Sequence, residues 1–249
     1  MSDLTVQGVE ASEKGGFMGS LRRVVRVVYS PAGVFQELER RPDWLVPLII
    51  CVLVAAISSW ILIPRVILPA QIEALESRNL PEQQLEAARP WLEGSRPLTI
   101  GLISAVAFTV IAFLVVAGVF HLVCALLLGG QANFARTFSV VAYSSVITVP
   151  ASIVKVPIQL ATKSVEAHTS LALILSSPGA ASGFAYRFLY RFLDQFDVFA
   201  FWEIVLLGVG LSIMFKFSRQ KAYYVVVILW LVYALGAAAV SGIAPRAGG

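Results

Sequence analysis

From residue 98 to residue 128 the chain runs 31 positions without an Asp, Glu, Lys or Arg. A soluble helix needs only one apolar stripe, so a segment uncharged on every face belongs in lipid. A hydrocarbon core of ~30 Å is crossed by about 20 helical residues, so this run spans once with residues to spare for tilt. Four further runs follow the same logic. Residues 45–63 are uncharged, with Pro47 near the start, where a missing backbone donor costs little. Residues 137–162 contain Pro150, Lys155 and Pro157, which predicts a kinked or broken helix whose freed carbonyls need partners on neighbouring helices. Residues 198–215 carry Glu203, and residues 222–245 are uncharged. The pattern predicts an all-α, polytopic integral membrane protein: an N-terminal segment over 1–44, then a five-span membrane domain over 45–245. Five crossings place the two termini on opposite sides.

Three other segments predict additional interfacial amphipathic helices. In residues 17–29 (FMGSLRRVVRVVY), Leu21, Val24, Val25 and Val28 recur at helical spacing against Arg22, Arg23 and Arg26, the pattern of a basic helix lying in an anionic leaflet. These arginines are candidate membrane-surface residues. Ser30 and Pro31 read as cap and first residue of a second short helix ending near Arg41 and Pro42. Residues 70–93 mix Glu73, Glu76, Glu82 and Glu86 with Leu75, Leu80, Leu85 and Trp91, which predicts helices outside the lipid. Residues 184–196 crowd aromatics around Arg187 and Arg191, a composition suited to the headgroup boundary.

Composition agrees: 58% of residues are hydrophobic and 14% charged, against roughly a quarter charged in soluble domains, and the mean hydropathy is +0.80. The net charge of +4 does not point to nucleic acid, because Lys and Arg sit at the ends of apolar runs, where they anchor helices to headgroups. The implied partner is the lipid bilayer. Cys51 and Cys124 fall inside apolar runs and read as small packing residues. The first apolar run begins after 44 residues, too late for a cleavable leader, so the N-terminus is expected to persist.

Orientation follows from basic residues near span ends, which resist translocation. Lys14, Arg22, Arg23, Arg26, Arg40, Arg41, Arg136, Lys216, Arg219 and Lys221 fall on one side; Arg65, Arg78, Arg89, Arg96, Lys163, Arg187, Arg191 and Arg246 fall on the other, in longer connections diluted by acids. The bias predicts a cytoplasmic N-terminus.

No phosphate loop, metal-ligand spacing or dinucleotide fingerprint is present, and two histidines are too few for most metal sites. The expectation is a protein that is not an enzyme and has no cofactor. A charge inside a span usually faces protein or water, which singles out Lys155 and Glu203. With a cytoplasmic N-terminus they lie at depths of about 10 and 8 Å from the outer face, counted at 1.5 Å per residue, and can meet. They form a candidate intramembrane polar pair, with a snorkelling Lys155 or a relay as alternatives. His121 is either a packing residue bonded to a neighbouring helix or a proton-linked group. Gly129 and Gly130, followed by Asn133 and Phe134, read as a tight helix-ending turn and as a candidate cytoplasmic docking turn.

The order of several motifs resembles the Yip family, small polytopic proteins named for interaction with Ypt/Rab GTPases, and in particular its bacterial-type branch. The likeness rests on Ser30, Pro31 and Phe35 leading through Arg41, Pro42 and Trp44 to Pro47; on Gly129, Gly130, Phe134, Phe138, Tyr143, Ser144 and Pro150; on Asp197, Phe199, Trp202, Glu203, Leu207 and Gly208; and on Ser218, Lys221 and Ala222. It covers residues 30–235. The resemblance implies a five-span helical membrane domain with a cytoplasmic N-terminus, and for this branch a bacterial inner membrane. Eukaryotic members resemble adaptors that bind prenylated Rab GTPases through a longer N-terminal region; with 44 residues there, this chain inherits no GTPase-binding residue. The leading functional reading is a non-enzymatic membrane scaffold or adaptor with a protein partner at its cytoplasmic face, in membrane organisation or trafficking. The alternative is a small-solute transporter or channel component using the broken third span with Lys155 and Glu203.

Overall fold

The computed structural model describes residues 16–76, 83, 86, 90, 92, 94–165, 169–178 and 182–243, with side chains to residue 240 except that of Ala74. Among these residues every regular element is helical, and one isolated bridge joins Ser170 to Asp197. Four helices are long and apolar enough to cross a membrane: Leu45–Glu73, Arg96–Leu127, Phe134–Thr162 and Arg219–Val240. A fifth apolar helix, Val198–Met214, has 17 residues and so a length of about 26 Å.

Two short helices, α1 (Phe17–Tyr29) and α2 (Pro31–Arg40), precede the first span. Pro31 sits at the start of α2 as expected, but Ser30 precedes it without a side-chain capping bond. The first span is α3 (Leu45–Leu62), which passes through a π turn at Ile63–Ile67 into α4 (Leu68–Glu76). Pro64 therefore does not end the helix where residues 45–63 predicted. The turn widens, and the Leu68 N–H reaches the carbonyl of Ile63 five residues back. Of the interfacial helices expected over 70–93, α4 is an extension of the span helix, while Leu80, Glu82, Leu85 and Trp91 lie outside the described residues.

The second span is α5 (Arg96–His121), closed by a π turn at Leu122–Leu127. The third begins as α6 (Phe134–Ser144), tightens to a 3₁₀ turn at Ser145–Ile147 and resumes as α7 (Thr148–Thr162). The expected irregularity is present, and it lies one turn before Pro150, whose ring crowds the carbonyl four residues back; Pro157 stays inside α7. Of the most apolar stretch of this third helix 67% is buried, against 17%, 22% and 22% for the other three, so it is the one most enclosed by protein. After a 3₁₀ turn at Leu171–Ile174 come α8 (Phe184–Asp194), α9 (Val198–Met214) and α10 (Arg219–Ile243). Pro245, the expected end of the last span, lies outside the described residues.

The chain divides into two compact units. One comprises Met1–Leu53, Thr109–Thr148 and Trp202–Val227; its core gathers Phe35, Leu38, Val140, Tyr143, Leu206, Leu211 and Met214. The other comprises Val54–Phe108, Val149–Phe201 and Ile228–Gly249 and buries Val66, Ala172, Tyr190, Ala234 and Ala238. Large apolar side chains stay exposed along the span helices, among them Ile57, Trp60, Ile103, Phe108, Ile228 and Val232. Exposed apolar surface on this scale is a lipid-facing surface. The molecule is a multi-pass integral membrane protein. Cys51 and Cys124 are buried free thiols, as their apolar settings suggested.

Candidate membrane-surface site

The α1 helix has two faces of different use. Ser20, Arg23, Val24 and Val27 recur three or four residues apart and are buried, so this face docks on protein. Phe17, Met18, Leu21, Val25 and Tyr29 form an exposed apolar stripe. Val34, Phe35 and Leu38 bury one side of α2, and Phe35 reaches close to Gly210 of α9. A Cβ on Gly210 would lie 2.5 Å from Val140 Cγ1 and 3.1 Å from the Phe35 ring, so the bare backbone there admits both α2 and α6.

One carboxylate fastens the pair of helices. Asp43 Oδ2 accepts from Ser20 Oγ, from Arg23 Nη2 at 3.2 Å and from Tyr143 OH at 3.1 Å. Arg23 also donates to Ser20 Oγ at 3.2 Å, while its buried Nε has no hydrogen-bond partner. Placing Arg22, Arg23 and Arg26 together on the lipid surface therefore needs correction for Arg23, which is 7% exposed. A buried guanidinium requires a counter-charge, and Asp43 supplies it. Arg26 pairs with Glu37 of α2 at 2.8 Å, and Arg22 is exposed. Asp43 escaped the sequence reading; its signal was an acid directly before the Trp44 that opens an apolar helix.

Between α1 and α2 lies an open groove of about 1310 Å³, lined by Arg22, Arg23, Arg26, Arg40 and Arg41, with Glu37 as the one acidic residue among the described lining. Phe17, Met18, Leu21 and Val25 supply apolar lining.

The turn after the second span performs the helix-ending role foreseen for it. Gly129 takes a φ of +69°, open to glycine without strain. Gly130 N–H donates to Cys124 O at 2.9 Å, and a Cβ on Gly130 would meet Phe215 Cδ1 at 2.5 Å. Asn133 Oδ1 accepts from Arg136 N at 3.0 Å and so caps α6. Phe134 is 41% exposed and stands edge-on to His121, with centroids 5.7 Å apart. His121 Nδ1 lies 3.1 Å from the hydroxyl of buried Thr137, an interhelical bond of the packing kind.

The intramembrane charges find different partners from those proposed on sequence. Lys155 Nζ pairs with Asp197 Oδ2, and its ammonium lies 5.8 Å from the Phe199 ring centroid. Asp197 is 8% exposed and its other oxygen accepts from Ala200 N at 2.8 Å, capping α9. Glu203 Oε1 accepts from Ser145 Oγ at 2.8 Å, in the 3₁₀ turn of the third span. Depth alone gives Lys155 the choice of Glu203, but Asp197, just before α9 and bridged to Ser170, takes that place. Among the described residues no cluster of His, Cys, Asp and Glu has the makings of a metal site.

A helical multi-pass membrane protein with a basic hairpin docked at one end of its first span is the class these features define. A family model for the Yip1 domain matches residues 25–240, and the chain belongs to the Yip family. No curated protein matches the sequence, and no solved structure does.

Proposed function

We propose that this protein is a non-enzymatic membrane scaffold or adaptor that works through the α1–α2 hairpin and the adjacent short turns. The observation that carries this reading is the exposed stripe of Phe17, Leu21, Val25 and Tyr29, flanked by Arg22 and Arg26, on a hairpin anchored at Asp43. An apolar stripe with arginines at its border suits a headgroup boundary, where the rings and aliphatic chains enter lipid and the guanidinium groups meet phosphate. In this reading α9 crosses as the fourth of five spans, the N-terminus is cytoplasmic and the host membrane is a bacterial inner membrane. The charge bias at the span ends supports that orientation. The half-exposed Phe134, at the turn after the second span, offers the same face a second contact point for a protein partner.

The test is a crosslinking capture from native membranes with the full chain and with a Leu21→Glu, Val25→Glu variant. Both positions are exposed, so folding is expected to survive. Loss of a specific crosslinked partner in the variant supports the adaptor role, and an identical partner set removes its main motive.

A further inference from the structure

The groove between α1 and α2 is more specific than a generally basic helix needs to be. Five arginines line it, and among the described residues only two have a carboxylate: Arg23 has Asp43, and Arg26 has Glu37. Arg22 and Arg26 lie one turn apart on α1, while Arg40 and Arg41 close α2, so the positive charge comes from two chain segments. We propose that this groove binds the headgroup of a phospholipid carrying two phosphates, one met by the α1 arginines and one by the pair at the end of α2. The inference rests on the hairpin lying at the membrane surface, as in the scaffold reading, and adds the ligand class.

Three observations favour a lipid over a soluble anion. The first is place: Arg41 is followed after three residues by Leu45, the start of the first span, so the chain itself holds the groove at headgroup depth. The second is the lining of Phe17, Met18, Leu21 and Val25 beside the arginines, which offers acyl chains a surface that a free phosphate does not use. The third is charge in excess of what the described residues neutralise, carried by Arg22, Arg40 and Arg41, which calls for a ligand with more than one negative group. Guanidinium forks match phosphate oxygens in pairs, which a diphosphate lipid satisfies twice.

The Arg26–Glu37 ion pair spans the groove and its two side chains are 30% and 44% exposed. It is an exchangeable pair: a phosphate entering between the helices takes Arg26 from Glu37. Glu37 thus weakens lipid binding, although it sits in the lining of the site.

The test uses the full-length chain in detergent micelles, with lipid retention read by native mass spectrometry for cardiolipin, phosphatidylglycerol and phosphatidylcholine. Cardiolipin is expected to be retained at the lowest concentration. Arg40→Gln and Arg41→Gln each weaken that retention about fivefold, the effect of one cationic side chain at a lipid surface. Glu37→Gln strengthens it, whereas Glu39→Gln, the same charge change outside the groove, leaves it unchanged. Arg219→Gln is the matching control for the arginines. Equal retention of all three lipids overturns the inference, as does a loss in Arg219→Gln equal to that in Arg40→Gln. Displacement of cardiolipin by millimolar inorganic phosphate overturns the lipid assignment in favour of a soluble anion. Should the arginine variants fail to fold, Glu37→Gln against Glu39→Gln decides alone: no difference overturns the site. Partner capture is measured separately: unselective lipid binding with partner capture lost in the Leu21→Glu, Val25→Glu variant refutes only this inference, and selective cardiolipin retention with an identical partner set in that variant refutes only the scaffold reading.

Discussion

Lys155 of α7 and Asp197 at the head of α9 form an ion pair in which the carboxylate has a second task, accepting the Ala200 N–H that begins the helix. The two roles fall on different oxygens of one side chain. Asp197→Ala therefore removes a cap worth about 1 kcal/mol together with the counter-charge of Lys155. Lys155→Met keeps the cap and leaves the Asp197 carboxylate without its counter-charge. Thermal unfolding in detergent is expected to rank Asp197→Ala as the more damaging; a reversed order argues that a stranded Asp197 carboxylate costs more than the lost cap.

Removing one partner of a buried charge pair leaves the other uncompensated. Asp43→Ala strands Arg23, Ser20 and Tyr143 at once, and a loss of about 3 kcal/mol is expected. Tyr143→Phe removes one hydrogen bond, worth about 1 kcal/mol. Chemical denaturation in mild detergent separates the two, and equal losses would mean that Asp43 is not the centre of the cluster.

Glycines in the last two helices make opposite predictions. A Cβ on Gly210 meets Val140 and Phe35, so Gly210→Ala is expected to destabilise by about 1–3 kcal/mol. Gly236 has nothing within 4 Å of its added Cβ, so Gly236→Ala is expected to be neutral or slightly stabilising through helix propensity. Melting temperatures of the two variants give the comparison.

The proposed five-span topology predicts compartments. Single cysteines at positions 30, 131 and 218, in a background lacking Cys51 and Cys124, should react with a membrane-impermeant reagent from one side, and cysteines at 164 and 178 from the other. Positions 131 and 218 on opposite faces, with 164 opposite 131, would remove α9 from the count of crossings.

Much of this was legible from uncharged run length alone, because a bilayer accepts few alternatives to a long apolar helix. Pro31 and Gly129 marked local boundaries correctly, since each acts through its own backbone. The end of the first uncharged run at residue 63 misled: a single widened turn at Ile63–Ile67 lets the helix continue. The inward turn of Arg23 was hidden as well. Its spacing fits either face of α1, and only the arrival of Asp43, twenty positions later in the chain, decides which. Asp197 shows the same limit, since Lys155 had two carboxylates within reach by depth and tertiary placement selected one.

Tyr143 belongs to the most enclosed of the spanning helices, and its hydroxyl ends on the carboxylate of Asp43, two residues before the first span begins. The hairpin is consequently bolted rather than tethered. A ligand arriving at it meets a surface already held in one attitude, and little rotational freedom remains to be surrendered on association. A swivelling headpiece on a slack leash would reach farther; this one trades reach for readiness.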